Sequence, residues 1–386
     1  MPTFPASRLA DIAPFHVMEL MAHARALAAT GRDIIHMEVG EPDFPTPEPI
    51  LAAAQAHVAT GRVFYTPALG LPELRSAIAA FYATRYGITI PSSRIVVTAG
   101  ASGALLLAMA CLAEPGSEWL LTDPGYPCNR NFVRSFEGVP IGMLVHPENN
   151  FQPTLADFGA HWNERTAGAL LASPANPTGT LLDDDVLAAI AGFVRQQGGQ
   201  LIVDEIYHGL SYERDASTAL QFGDDIFVVQ SFSKYFNMTG WRLGWLVIPE
   251  RFSRDIEKLA QNLFISPSAP AQHAALAAFA PATISILEAR RQEFRRRRDF
   301  LGPALTALGF RLPARAEGAF YLYANCSELT DDSERFAHDL LDATGVAATP
   351  GLDFGSNAPE KHLRFAYTTG VERLAEAAER IRRYLG

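Results

Sequence analysis

Little in this chain invites a disulfide, a metal ion or a polyanion. Its three cysteines, Cys111, Cys128 and Cys326, form no CxxC pair and leave an odd count. That pattern argues against a disulfide framework and fits a reducing compartment, so a cytoplasmic protein is the expectation. The ten histidines show no HExxH or comparable spacing, and no metal site is expected. Acidic residues outnumber basic ones, 42 against 32, for a net charge of -10. This balance argues against a nucleic-acid surface, which needs clustered Lys and Arg. The one basic cluster, Arg295 to Arg298, continues a helical pattern and reads as a solvated face. The longest apolar run, Gly103 to Ala113, is too short to cross a bilayer. The opening Met1-Pro-Thr-Phe-Pro-Ala-Ser-Arg8 lacks the charged-then-apolar order of a signal peptide. No internal repeat, low-complexity stretch or helix-turn-helix segment is evident, and no GxGxxG follows a first strand, which argues against a nicotinamide dehydrogenase.

What the chain does have is core. Apolar residues make up 48% of 386 positions, enough for two lobes. An amphipathic helix (Val17 to Ala29) and a strand (Ile34 to Val39) precede Gly40-Glu-Pro-Asp-Phe-Pro-Thr-Pro47, where three prolines enforce an extended strap. From about 46 to 280, short apolar runs alternate with helical patterns: Ile95 to Thr98, Trp119 to Thr122, Ile141 to Val145, Ala169 to Ala172, Leu201 to Val203, Phe227 to Val229 and Leu243 to Ile248. Such alternation predicts an α/β fold with a largely parallel sheet covered on both faces. After an Arg-rich helix from about Thr283, the segments Phe310 to Leu312, Gly318 to Tyr323 and His362 to Tyr367 alternate apolar and polar residues, as half-exposed strands of a small sheet do. The expected division is an N-terminal segment (1–45) joining a small domain (281–386), with a large domain (46–280) between.

Ligands of parallel α/β sheets collect at the carboxyl ends of strands, so the residues after each apolar run are the candidates. Gly100, Ala101 and Ser102 follow the first run and open a helix (Ala104 to Leu112), which offers N–H groups to an anion; an ordinary Ser cap uses the same letters. Tyr126, in Asp123-Pro-Gly-Tyr-Pro, places an aromatic ring at the sheet edge, or else decorates a plain turn. Asn176 sits in Ser173-Pro-Ala-Asn-Pro-Thr-Gly179. Asp204 directly follows three apolar residues in Leu201-Ile-Val-Asp-Glu-Ile-Tyr207, where a carboxylate is costly without a positive partner. Lys234 follows the strand at Phe227 to Val229 in Ser231-Phe-Ser-Lys-Tyr-Phe-Asn-Met-Thr-Gly-Trp-Arg242-Leu-Gly, a setting suited to an imine-forming amine beside an anion pocket.

This last run resembles the attachment motif of class I (fold type I) pyridoxal-phosphate-dependent aminotransferases, S-x-S-K-x5-G-x-R-x-G. The resemblance extends over nearly the whole chain. It implies pyridoxal 5'-phosphate as cofactor, linked to Lys234 as an imine. The cofactor's phosphate would be held by Gly100, Ala101, Ser102, Ser231 and Arg242, and its ring stacked by Tyr126. The family's D-E-x-Y and N-P-T-G residues match Asp204 (ring nitrogen), Tyr207 and Asn176 (ring oxygen). Gly40 and Arg364, in His362-Leu-Arg-Phe-Ala-Tyr, match the positions that meet the substrate carboxylate, with Asn176 beside them. Tyr65, in Phe64-Tyr-Thr-Pro, matches the tyrosine that reaches the phosphate of a neighbouring subunit, which implies a homodimer with shared sites. Mild departures are Ala175 and Ala101, and neither removes a needed side chain.

The activity implied is transfer of an amino group from an L-amino acid to a 2-oxo acid. β-Elimination from cysteine conjugates, cyclopropane-forming chemistry and an aspartate-type transaminase use the same cofactor motifs and stay open, as does a non-catalytic binding relic. Phe15 lies where the family's N-terminal segment covers the substrate side chain, and Ser102 stands where some aspartate-preferring members have lysine. Both favour a neutral or aromatic donor.

Overall fold

The computed structural model describes residues 6–12 and 14–386; Met1 to Pro5 and Ala13, within the expected N-terminal segment, lie outside them. After helix α1 (His16–Ala29) and strand β1 (Ile35–His36), the chain runs α2 (Glu48–Ala59), α3 (Pro72–Tyr86), β2 (Ile95–Thr98), α4 (Gly100–Leu112), β3 (Glu118–Asp123), α5 (Pro127–Ser135) and β4 (Val139–Leu144). It continues with α6 (Leu155–His161), β5 (Thr166–Ala172), α7 (Asp184–Gln196), β6 (Gln200–Asp204), β7 (Phe227–Ser231), β8 (Gly244–Val247), α8 (Ser253–Leu263) and α9 (Ala269–Leu276). The long α10 (Pro281–Ala307) then leads to β9 (Tyr321–Asn325), α11 (Ser333–Thr344), β10 (Val346–Ala347), β11 (Thr349–Pro350), β12 (His362–Ala366) and α12 (Val371–Leu385).

The central sheet has seven strands in the order β2-β8-β7-β6-β5-β3-β4. Only β8 is reversed, pairing antiparallel with β7 and β2. The largely parallel sheet read from the apolar runs is therefore present. Both faces are packed. Val97, Leu120, Leu171, Val203 and Val228 enter one core cluster, while their neighbours Val96, Trp119, Leu170, Ile202 and Val229 enter another. Such double burial produces continuous apolar runs instead of strict alternation.

Three local expectations are corrected. The strand expected at Ile34 to Val39 is only Ile35–His36, paired with β10. Beyond it the carbonyls are taken by other groups: Glu38 O accepts from Arg364 Nη2 at 2.5 Å and Thr349 Oγ1 at 3.0 Å, and Gly40 O accepts from Lys234 Nζ at 2.6 Å. Phe310 to Leu312 forms no strand, only an isolated bridge between Arg311 and Asn325. Strands β9 and β12 are buried along nearly their whole length and not half-exposed; on β12 the polar Arg364 faces a cavity and not solvent.

The Arg295 to Arg298 cluster also departs from a simple solvated face. Arg295 and Arg296 are exposed, but Arg297 is buried and grips Asp43 through two bonds of 2.7 and 3.0 Å. Its guanidinium lies 4.9 Å from the Phe44 ring. Together with Arg290, which donates to Pro45 O at 2.6 Å, it fastens the proline-rich strap to α10. The strap thereby carries Gly40 into the cleft.

Candidate active site

The loops after β2, β3, β5, β6 and β7 converge on one cavity of about 240 Å³. Phe15, Gly40, Ala101, Ser102, Tyr126, Asn176, Asp204, Tyr207, Ser231, Lys234, Arg242 and Arg364 all line it. Two of the expected site residues do not. Gly100 lies just beneath, packed against Arg242, and Tyr65 is 82% exposed.

Helix α4 begins at Gly100, earlier than the sequence suggests, and its N-cap Ala99 has no side-chain capping bond. Ser102 is therefore a first-turn residue and not the cap. The N–H groups of this turn remain free for an anion, supported by the helix dipole and by Arg242. Gly100 has φ +69°, a conformation that L side chains rarely adopt. Ser231 contributes differently: its hydroxyl accepts from Ser233 N at 3.0 Å and donates to Leu243 O at 3.4 Å, which shapes the turn that presents Lys234.

Asp204 sits at the opposite end, at the tip of β6. Among the described residues its carboxyl accepts one bond, from Ile206 N at 3.1 Å, and has no ion-pair partner. Burial pushes it up to about 7, against the pull of the Ile206 N–H and the Lys234 charge. Burial likewise lowers the Lys234 amine to about 8, which Glu41 opposes and the Arg364 and Arg242 charges reinforce. Next to Asp204, burial lifts Glu205 to about 8. It accepts from Ala219 N at 2.6 Å and Thr218 Oγ1 at 3.1 Å, away from the cavity lining.

Arg364 enters from β12, the middle strand of the three-stranded sheet β11-β12-β9. It donates to Asn176 Oδ1 at 2.8 Å and Thr349 Oγ1 at 3.2 Å, besides Glu38 O, and its buried Nε has no partner. The Asn176 carbonyl being taken, its amide NH2 is left as a donor for the cavity. Tyr126 meets Phe15 edge-on, with centroids 6.3 Å apart.

Several lining residues went unnoticed in the sequence. Val17, Met18 and Met21 come from α1, whose apolar face reads as ordinary core, and Leu105 comes from α4. Tyr321 was hidden in an alternating strand pattern; its hydroxyl lies 2.8 Å from that of Tyr207.

A family model for aminotransferase class I and II matches residues 32–381. The chain belongs to the class I and II aminotransferases. It is 38% identical over 378 residues to the valine–pyruvate aminotransferase of Mycobacterium tuberculosis, covering 97% of both chains. It is 34% identical to the aspartate/prephenate aminotransferase of Thermus thermophilus, covering 98% of both. A crystal structure of an aminotransferase from Mycobacterium tuberculosis superposes with a TM-score of 0.96 at 38% identity, covering 100% of this chain and 99% of the other. The protein is thus a fold type I aminotransferase that depends on pyridoxal phosphate, and a β-lyase is not favoured.

The residues of this aminotransferase fit that cofactor. A buried carboxyl without a cation, Asp204, suits a protonated ring nitrogen. An uncapped helix start beside Arg242 suits a phosphate, and Tyr126 offers an aromatic face between them.

Proposed function

We propose that the enzyme takes a neutral amino acid with an apolar or aromatic side chain as donor and passes the amino group to a 2-oxo acid. The observation that carries this reading is the apolar wall formed by Phe15, Val17, Met18, Met21 and Leu105. The cations among the described lining residues are Lys234, Arg242 and Arg364, and each has another task. A second substrate carboxylate would be desolvated there without a partner. The relative named for valine and pyruvate agrees with a neutral donor, and the one named for aspartate and prephenate marks the contrasting preference.

Pyridoxal phosphate, when bound, supplies the electron sink that stabilises a carbanion at the substrate α-carbon. Arg364 would take the α-carboxylate in a fork, with Asn176 holding the guanidinium in place and Gly40 at the same cavity wall. Asp204 would hold the ring nitrogen protonated, Tyr207 and Asn176 would donate to the ring oxygen, and Tyr126 would offer its face to the ring. Gly100, Ala101, Ser102, Ser231 and Arg242 would form the phosphate site, Ser231 by shaping its turn. Lys234, its amine lowered to about 8, would take the substrate's α-proton at Nζ as base and then, as acid, give it up on the cofactor side instead of to the carbon it came from.

The same reading includes a homodimer in which the partner subunit's Tyr65 completes the phosphate site. Its support is an exposed apolar stretch, Val63 at 46%, Phe64 at 69% and Tyr65 at 82%. Residence in the cytoplasm is supported by three free cysteines.

A spectral half-reaction screen of the holoenzyme against the common amino acids tests the donor class. Neutral or aromatic amino acids are expected to convert the bound cofactor to its amine form fastest. A strong preference for aspartate would overturn the assignment.

A further inference from the structure

Resting on the roles given above to Tyr207 and Arg364, we propose that Tyr321 is a positioning residue. It would set the direction in which the Tyr207 hydroxyl donates and join that hydroxyl to the carboxylate clamp. The Oη atoms of Tyr207 and Tyr321 are 2.8 Å apart, and among the described residues each is the other's only partner. Either can donate in isolation. Once Tyr207 donates into the cavity, its oxygen is the one acceptor within reach of the Tyr321 proton, and a buried phenol left without an acceptor is costly. The pair is then polarised in one direction, from Tyr321 through Tyr207 to the cofactor ring oxygen. A bond chained this way is stronger than a single one. Burial holds both phenols above their ordinary range, so both keep their protons throughout the working pH range.

The surroundings fix Tyr321 tightly. A Cβ at residue 40 would fall on its hydroxyl, so the ring fits because residue 40 is glycine. The carbonyl of that same Gly40 accepts from Lys234. On the other side the Arg364 guanidinium lies 4.4 Å from the Tyr321 ring centroid. The Phe320 ring meets Tyr207 edge-on at 5.5 Å and closes the back of the pair. One side chain thus touches the substrate-carboxylate arginine through its ring and the cofactor-facing tyrosine through its hydroxyl. The two functions are separable by substitution.

Tyr321→Phe keeps the ring and deletes the hydroxyl; Tyr321→Leu deletes both. The readouts are the pH titration of the lysine-linked cofactor absorbance and the dissociation constant of an unreactive carboxylate, 3-phenylpropionate, for the holoenzyme. Tyr321→Phe is expected to move the titration midpoint to higher pH by about half a unit, a part of what a neutral hydrogen bond conveys. Its carboxylate binding should stay within about twofold of the parent, while Tyr321→Leu should weaken it about tenfold, in the range of a desolvated cation–π contact. In a Tyr207→Phe background the Tyr321→Phe shift should vanish, because the hydroxyl acts through Tyr207. A Tyr321→Phe midpoint equal to the parent's, or a shift that persists without the Tyr207 hydroxyl, overturns the inference. A parent enzyme with no lysine-linked band at all would instead overturn the reading of the site on which it rests.

Discussion

Arg242 occupies the space that a side chain at residue 100 would need: a Cβ on Gly100 would meet its Nη2 at 2.6 Å and its Cζ at 3.1 Å. Only glycine lets the guanidinium lie against the start of α4, where the free N–H groups and the arginine face the same anion. Gly100→Ala must either shift the helix start from φ +69° or expel Arg242. A left-handed alanine costs about 1 to 2 kcal/mol, so cofactor affinity should fall about tenfold. Spectral titration of stripped enzyme with pyridoxal phosphate measures this directly. Unchanged affinity would mean that Arg242 and the helix start do not share the phosphate.

The solitary Asp204 carboxyl gives the cofactor-free protein a pH signature. Its proton is held up to about 7, so the folded chain binds that proton more tightly than the unfolded chain, whose Asp titrates near 3.8. The group costs nothing below that lower value, and its penalty grows to full size as pH rises through about 7. Asp204→Asn removes a penalty of a few kcal/mol at most. In thermal melts of stripped enzyme, the gain from Asp204→Asn should therefore be larger at about pH 8 than at about pH 5. With the cofactor bound the advantage should disappear if, as proposed, a protonated ring nitrogen supplies the missing cation. Turnover of Asp204→Ala should fall by at least ~10²-fold. An equal melting gain at both pH values would contradict the linkage.

Much of this was legible in the sequence for a physical reason. A parallel sheet buried on both faces writes itself as continuous apolar runs, and the residue after each run is placed at the cleft by topology alone, as with Asp204 at the end of Leu201-Ile-Val. What stayed hidden depends on partners distant in sequence. The Ile34 to Val39 strand is cut short because Arg364, more than three hundred residues away, takes the Glu38 carbonyl. Arg297 looks like its exposed neighbours until Asp43 and Phe44 are folded against it. The alternation of β12 marks two faces, but its Arg364 turns to the cleft and not to water. Tyr321 escaped because its hydroxyl acquires a task only beside Tyr207.

Lys234 is one of only three lysines in the chain, with Lys258 and Lys361. Borohydride reduction of the holoenzyme should leave a single cofactor adduct, located by peptide mass on the segment containing Lys234. Lys234→Ala should abolish both the lysine-linked absorbance and turnover while keeping the fold. An adduct that persists in this variant, on either remaining lysine, would remove Lys234 from its assigned place.

Arg364 tests recognition of the α-carboxylate. Its guanidinium is spread over Asn176, Glu38 O and Thr349, with Nε unpartnered. Arg364→Ala should weaken every amino acid alike, by about 2 to 5 kcal/mol, as removal of one member of a desolvated charge pair does. Arg364→Lys should recover little, since one ammonium cannot hold Asn176 and present a planar fork at once. Half-reaction rates against substrate concentration give the affinities. Amines without a carboxylate reacting as well as amino acids in the parent would show that the arginine has another role.

The last prediction concerns the two-chain site. Tyr65 is far from burial within its own chain, in a run with Val63 and Phe64 that is apolar yet exposed. If the partner subunit's Tyr65 serves the phosphate, Lys234 and Tyr65 of one active site come from different chains. Mixing a Lys234→Ala chain with a Tyr65→Phe chain then yields heterodimers in which one site carries both defects and the other carries neither. Activity should recover toward half of the parent value per heterodimer, above that of either variant alone. The interface should also bury the exposed run, so Phe64→Asp should lower dimer stability in sedimentation at constant pH and salt, since a charge buried without a partner is disfavoured. An active monomer, or chains that mix without complementing, would assign each site to a single chain and leave the exposed tyrosine without this function.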